Sequence, residues 1–101
     1  MNASLYQMKA TPDNHMKIFA GLDFVDEKIN LNDYNKVAEI NLDEFQSDNI
    51  NMTLEAIFTY GNSDEEYYQN NPQARSISVS DIIEIDGKFY YVDSFGFKEI
   101  G

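Results

Sequence analysis

The chain has 101 residues and a formal net charge of −11, from 18 acidic and 7 basic residues. It contains no cysteine, which excludes a disulfide framework, a thiol nucleophile and any metal site built on cysteine. This length predicts a single acidic domain over residues 1–101, and the lack of disulfides favours a cytoplasmic location. We expect no signal peptide, because the first residues have no basic start and no long apolar run.

The negative charge is concentrated in the middle of the chain. No basic residue occurs between Lys36 and Arg75, and that interval contains eight acidic residues: Glu39, Asp43, Glu44, Asp48, Glu55, Asp64, Glu65 and Glu66. This segregation predicts that one side of the domain carries a strong negative field, which repels nucleic acid and anionic membranes and attracts a basic protein surface. The plainer interpretation is that the acidity only keeps the protein soluble.

The first half of the chain shows both extended and helical patterns. Residues 4–9 predict an N-terminal strand with Leu5 inward, and residues 37–42 predict a second strand. Between these strands, apolar residues recur at near-helical spacing over 15–22, which predicts one short helix there.

Two further helices are predicted in the acidic middle. Thr53 suits the N-cap of a helix over residues 54–60, and Gly61 suits its end. The capping-box pattern that starts at Ser63 predicts another helix over residues 64–69, with its acidic first turn at the positive end of the helix dipole.

The C-terminal third contains the clearest β structure. Asp86-Gly87 between two β-rich runs predicts a two-residue hairpin, because a type I′ turn needs positive φ at both positions. This pairing puts two sets of apolar side chains on opposite faces: Ile83, Ile85, Tyr90 and Val92 on one, and Ile82, Phe89 and Tyr91 on the other. We therefore expect cover on both faces, or cover on one face and a partner on the other.

These elements together predict an α+β fold. It would consist of a small antiparallel sheet with a C-terminal hairpin and two or three short helices. Asp81 and Asp93 flank the hairpin, and we interpret them as caps for backbone amides at the strand ends.

The sequence offers little support for catalysis, so the chain is predicted not to be an enzyme. His15 is the single histidine, and we expect it to be exposed at a helix start rather than to act as a base. The acidic groups around Asp43 and Asp64 lack the spacing of a calcium-binding loop. No metal or other cofactor is therefore predicted, and a solvated acidic face is preferred.

Two tyrosine pairs are candidates for contact with a partner. Tyr67 and Tyr68 directly follow the acidic cluster, and an aromatic anchor beside a negative rim suits a basic partner. The alternative, equally supported, is that one of these two packs into the core. Tyr90 and Tyr91 face opposite ways in the predicted hairpin, so one would be core and the other is a candidate for an exposed position.

Two C-terminal segments, residues 76–83 (SISVSDII) and 90–97 (YYVDSFGF), resemble the YodL-like domain family of Firmicutes mobile-element proteins. Residues 6–9 (YQMK) and 54–58 (LEAIF) are similar to the opening strand and a helix of that family. The resemblance implies a phage or conjugative element, a context in which small acidic proteins often inhibit host defences. It brings no catalytic residues.

Two functional hypotheses follow from these patterns. In the first, the acidic 39–66 region imitates a nucleic-acid backbone and occupies the basic cleft of a host defence nuclease, as an anti-CRISPR or anti-restriction protein would. Its candidate contact residues are Asp43, Glu44, Asp48, Asp64, Glu65, Glu66, Tyr67, Tyr68 and Tyr91. In the second, the chain is a protein-interaction or regulatory module that uses the aromatic hairpin, through Tyr91 and Phe97. The oligomeric state is left open.

Overall fold

Five strands form one antiparallel sheet in this computed structural model, which describes residues 1–25, 29–43, 45 and 47–101. The strands are β1 (Asn2–Met8), β2 (Tyr34–Asn41), β3 (Ile82–Ile85), β4 (Lys88–Val92) and β5 (Phe97–Glu99). Their order across the sheet is β2-β1-β3-β4-β5, so β2 and β5 are the edges. The helices are α1 (Leu22–Val25), α2 (Ile50–Ser63) and α3 (Glu65–Asn70), with short 3-10 turns at Pro12–Asn14 and Leu31–Asp33. The α+β prediction is confirmed.

The hairpin between β3 and β4 has the predicted register. Ile85 pairs with Lys88 across a two-residue turn. Asp86 and Gly87 in that turn both have positive φ, of 52° and 80°, as a type I′ turn requires. The local turn chemistry therefore determines which side chains reach which face of the sheet.

The sheet is covered on both faces, which is the first of the two predicted alternatives. One face packs against α2 and α3. Its buried side chains include Leu5, Leu54, Ile57, Tyr67, Ile83 and Tyr90. The opposite face packs against the segment that contains Leu22, with Met8, Tyr34, Ile82 and Tyr91 buried there. Burying one such aliphatic or aromatic side chain contributes roughly 1.5–3 kcal/mol, so both layers stabilise the sheet.

Helix α2 begins earlier than predicted. Asn49 rather than Thr53 is its N-cap, and the Asn49 side chain accepts a hydrogen bond from the backbone N–H of Asn51 at 2.9 Å. Thr53 Oγ1 accepts instead from the N–H of Ser47, at 3.1 Å, and is buried. Both residue types cap helices well, so the sequence pattern alone did not separate the two positions.

Gly61 lies inside α2 and does not end it. A Cβ at this position would come within 3.0 Å of Cγ1 and Cδ1 of Ile77, which is fully buried. Glycine is needed here because another segment approaches the helix closely. The helix ends at Ser63, and Asp64 rather than Ser63 caps α3, with its Oδ1 accepting from the N–H of Glu66 at 2.9 Å.

The predicted helix over 15–22 is wrong. Residues 15–19 form turns, and Phe19 has a φ of +70°, which no α-helical residue adopts. The Phe19 N–H donates to Ser80 Oγ at 3.1 Å, and the Leu22 N–H donates to Asp93 Oδ1 at 3.0 Å. These long-range bonds take the place of helical bonds at Phe19 and Leu22. Asp93 does cap the Leu22 amide, but this amide lies at the start of α1 and not at a strand end as predicted.

Candidate functional site

A groove of about 820 Å³ lies where the end of β2, the segment after it, and helices α2 and α3 meet. Its lining includes four acidic residues, Glu39, Asp43, Asp64 and Glu66, and no basic residue among those described. We call it the acidic groove. The four acidic residues come from three separate segments of the chain, so the fold brings together residues that are spread along the sequence.

The carboxylates of the acidic groove are only partly neutralised. Lys36 Nζ donates to Glu39 Oε1 at 2.9 Å, and the N-terminal ammonium lies 3.9 Å from Asp43 Oδ1. Within the described part of the chain, Asp64 and Glu66 have no ion-pair partner. The helical end of the groove is therefore strongly negative.

Aromatic side chains form the apolar part of the acidic groove. The rings of Phe45 and Tyr60, which both line it, have their centroids 5.3 Å apart, and Tyr60 stands 5.7 Å from the ring of Tyr67. Burial raises the pKa of the Tyr60 phenol, and the charges of Glu66 and Asp64 raise it further. Sequence reasoning missed Phe45 and Tyr60 as site residues.

Of the five predicted acidic contact residues that the structure describes, three line the groove: Asp43, Asp64 and Glu66. Asp48 and Glu65 are exposed but do not line it. The prediction for Glu44 falls outside the described residues. The groove therefore includes only part of the described acidic residues of the 39–66 region.

Two of the three candidate tyrosines are inaccessible. Tyr67 and Tyr91 are both 0% exposed, so neither can touch a partner in this structure. The Tyr67 hydroxyl donates to the carbonyl oxygen of Arg75 at 2.6 Å, and that of Tyr91 donates to the carbonyl of Ala20. Tyr68 is 39% exposed and remains available. Of the two interpretations of the Tyr67-Tyr68 pair, the structure therefore agrees with the one in which one residue, Tyr67, packs into the core.

The described residues contain no cluster of three or more His, Asp or Glu side chains that could hold a metal ion. His15 is exposed and lines a separate cavity of about 490 Å³ together with Thr11 and Pro12. Asp81 is buried, and burial raises its pKa to about 7. Its Oδ2 accepts from Gln7 Nε2 and from the Ser78 N–H, both at 3.0 Å, so it caps a backbone amide as predicted.

Comparisons with known proteins place the chain in a family. No helix in the described part of the chain has the length and apolar character needed to cross a membrane. Neither the curated proteins nor the solved structures include a match. A family model described as the YodL-like domain matches residues 2–101, which is nearly the whole chain. The chain therefore belongs to the YodL-like domain family.

Proposed function

We propose that this protein is a non-enzymatic binding protein of a phage or conjugative element, and that its acidic groove holds a basic surface of a nucleic-acid-binding protein. The observation that carries the proposal is the convergence of Asp43, Asp64 and Glu66 on one groove that no described basic residue lines. The partner would be a host defence nuclease, such as a CRISPR effector or a restriction enzyme. The carboxylates would occupy positions that phosphates take in its cleft.

The physical properties of the groove suit such a partner. A net charge of −11 steers a basic protein towards the chain and accelerates the encounter, by an amount that salt reduces. Each exposed ion pair is weak, so affinity also needs desolvated contact area. Phe45 and Tyr60 offer that area beside Asp64 and Glu66.

Two variants with equal net charge distinguish the effect of the groove carboxylates from the effect of the overall negative charge. The groove-neutral variant carries Asp43→Asn, Asp64→Asn and Glu66→Gln. Asparagine at position 64 keeps the N-cap of α3. The surface-neutral variant replaces three exposed acids outside the groove: Asp13→Asn, Asp23→Asn and Glu99→Gln. Three neutralised carboxylates bring each variant from −11 to −8.

The test is capture from a nuclease-treated bacterial lysate at low salt, with elution at high salt and identification of the eluted proteins. We expect the unmodified chain and the surface-neutral variant to retain the same basic nucleic-acid-binding protein, and the groove-neutral variant to retain severalfold less. Equal loss in the two variants would mean that the acidity acts only through net charge. Capture that resists salt would also contradict the proposal.

A second candidate function is a protein-interaction module that uses exposed aromatic side chains. Phe95 is 97% exposed, Phe19 64% and Phe24 58%. Gly21 lies against Asp93 and Ser94, so the two segments that carry these aromatics are neighbours. This surface replaces the one predicted around Tyr91. Salt-resistant capture that is lost on Phe95→Ser and kept in the groove-neutral variant would favour it.

A further inference from the structure

Strand β2 lies at the edge of the sheet, and among the described residues it pairs only with β1, so one side of its backbone takes no part in the ladder. In an antiparallel pair, opposed residues alternate between those that exchange hydrogen bonds and those that do not. The N–H of Leu42 donates to the carbonyl of Met1, which fixes this alternation. The backbone of Ile40 therefore bonds to β1, and the N–H and C=O groups of Glu39 and Asn41 point away from it.

These outward backbone groups open onto the acidic groove. Glu39 and Asn41 both line it, and within the described residues no hydrogen bond reaches their backbone N–H or C=O groups. An edge strand with free N–H and C=O groups can pair with an extended segment of another chain. The groove thus combines a strand-pairing edge with a concentration of negative charge.

We propose that the acidic groove binds an extended basic peptide segment of the partner, which adds to the edge of β2 as a further strand. This proposal rests on the proposed function and specifies how the basic partner is recognised. Backbone groups of the segment would bond to Glu39 and Asn41, and its Lys or Arg side chains would reach Asp43, Asp64 and Glu66. Charge complementarity selects this occupant, because no described basic residue lines the groove.

Other features of β2 limit the length and register of the added strand. The pairing of β1 with β2 shifts between Leu5 and Tyr6, so the regular ladder covers only residues 38–41 of β2 next to the groove. Lys36 lies beyond this shift and would repel a basic residue placed opposite it. A second copy of this chain is a poor occupant, because its own acidic groove would meet like charge.

Asn41→Pro tests the edge without changing the net charge. Proline removes the N–H that points away from β1, and the strand tolerates it because this N–H takes no part in the ladder. Asn41→Ala is the matched control, since it changes the side chain and keeps the N–H. Circular dichroism and thermal unfolding verify that each variant folds.

The probe is a blocked synthetic peptide of about eight residues that alternates Lys and Thr, within the usual length of a strand. A second probe has the same sequence with alternate backbone amides N-methylated, so its charge is the same but it cannot pair as a strand. Binding to the full chain is measured by titration calorimetry at low and at physiological salt. The methylated probe keeps the test independent of how any variant folds.

We expect the unmethylated peptide to bind the unmodified chain, and to bind Asn41→Pro at least tenfold more weakly than Asn41→Ala. The N-methylated peptide should also bind at least tenfold more weakly. If both peptides bind the unmodified chain equally and neither binds the groove-neutral variant, strand addition is wrong and the proposed function stands. Binding of neither peptide would overturn the inference, as would a dimer in sedimentation that Asn41→Pro dissociates. Failure of the proposed function itself appears separately, as equal lysate capture by the groove-neutral and surface-neutral variants.

Discussion

The unmodified protein should become less stable as the pH rises, because Asp81 is buried. We expect Asp81→Asn to abolish this pH dependence. Asp81 is 2% exposed, and burial raises its pKa to about 7 although hydrogen bonds from Gln7 and Ser78 lower it. An Asn side chain offers an oxygen that can accept the same two hydrogen bonds and carries no charge to bury.

The sign and size of the effect follow from the two pKa values of Asp81. The ordinary value is 3.8, so between about pH 4 and pH 7 the folded protein keeps a proton that the unfolded chain releases. Raising the pH through this window therefore favours unfolding. One pKa unit corresponds to about 1.4 kcal/mol, so the difference between 3.8 and about 7 sets an upper bound of about 4 kcal/mol, fully lost above pH 7.

Urea unfolding at a series of pH values measures this effect, with Asp86→Asn as the control. Asp86 is exposed in the hairpin turn, and its replacement makes the same change in net charge. The difference in free energy of unfolding, Asp81→Asn minus the unmodified chain, should rise by about 2–4 kcal/mol between pH 4 and pH 7. A gain of the same size in Asp86→Asn would mean that the change in net charge, and not the burial of Asp81, causes the effect. A pH-independent difference for Asp81→Asn would mean that Asp81 does not stay protonated in the folded protein over this range.

Three further predictions concern packing and hydrogen bonds, and denaturant titration checks each. Gly61→Ala should destabilise the protein by about 1–3 kcal/mol, because the new methyl group meets Ile77, and the loss should shrink when Ile77→Ala is added. A gain of about 1 kcal/mol, as helix propensity alone predicts, would disprove this close approach. Tyr91→Phe should cost about 1 kcal/mol through loss of its bond to Ala20, and an unchanged stability would contradict that role. Tyr68→Phe should cost at most about 0.5 kcal/mol, because the hydrogen bond between its hydroxyl and Ser76 Oγ, 2.6 Å long, is exposed, and a larger loss would mean that this bond is structural.

Local signals in the sequence predicted the hairpin correctly. The conformation of the segment 15–22 was predicted wrongly, because it depends on contacts with residues far away in the sequence. The Asp86-Gly87 turn and the alternation around it contain the information that fixes the pairing of β3 with β4. The segment 15–22 has a helical pattern, but the amides of Phe19 and Leu22 bond to Ser80 and Asp93, which are 61 and 71 residues from their donors. No local propensity reveals such bonds, because they exist only once the sheet has formed.

The candidate site was partly predictable for the same reason. The distribution of charge along the sequence identified Asp43, Asp64 and Glu66, because they lie in the interval that has no basic residue. It did not identify Tyr60 or its neighbours, whose role depends on β2 being the edge strand beside α2 and α3. The only local signal for Tyr60 is its position one helical turn before Asp64.

We propose that the acidic groove, and not the overall acidity, selects a basic partner. The most direct test of this proposal is the salt dependence of the affinity for the captured partner, measured by titration calorimetry for the unmodified chain and both charge-matched variants. We expect the affinity to fall steeply with salt for the unmodified chain and the surface-neutral variant. For the groove-neutral variant we expect weaker binding with a shallower salt dependence. Equal affinities and equal slopes for the two variants would contradict the proposal.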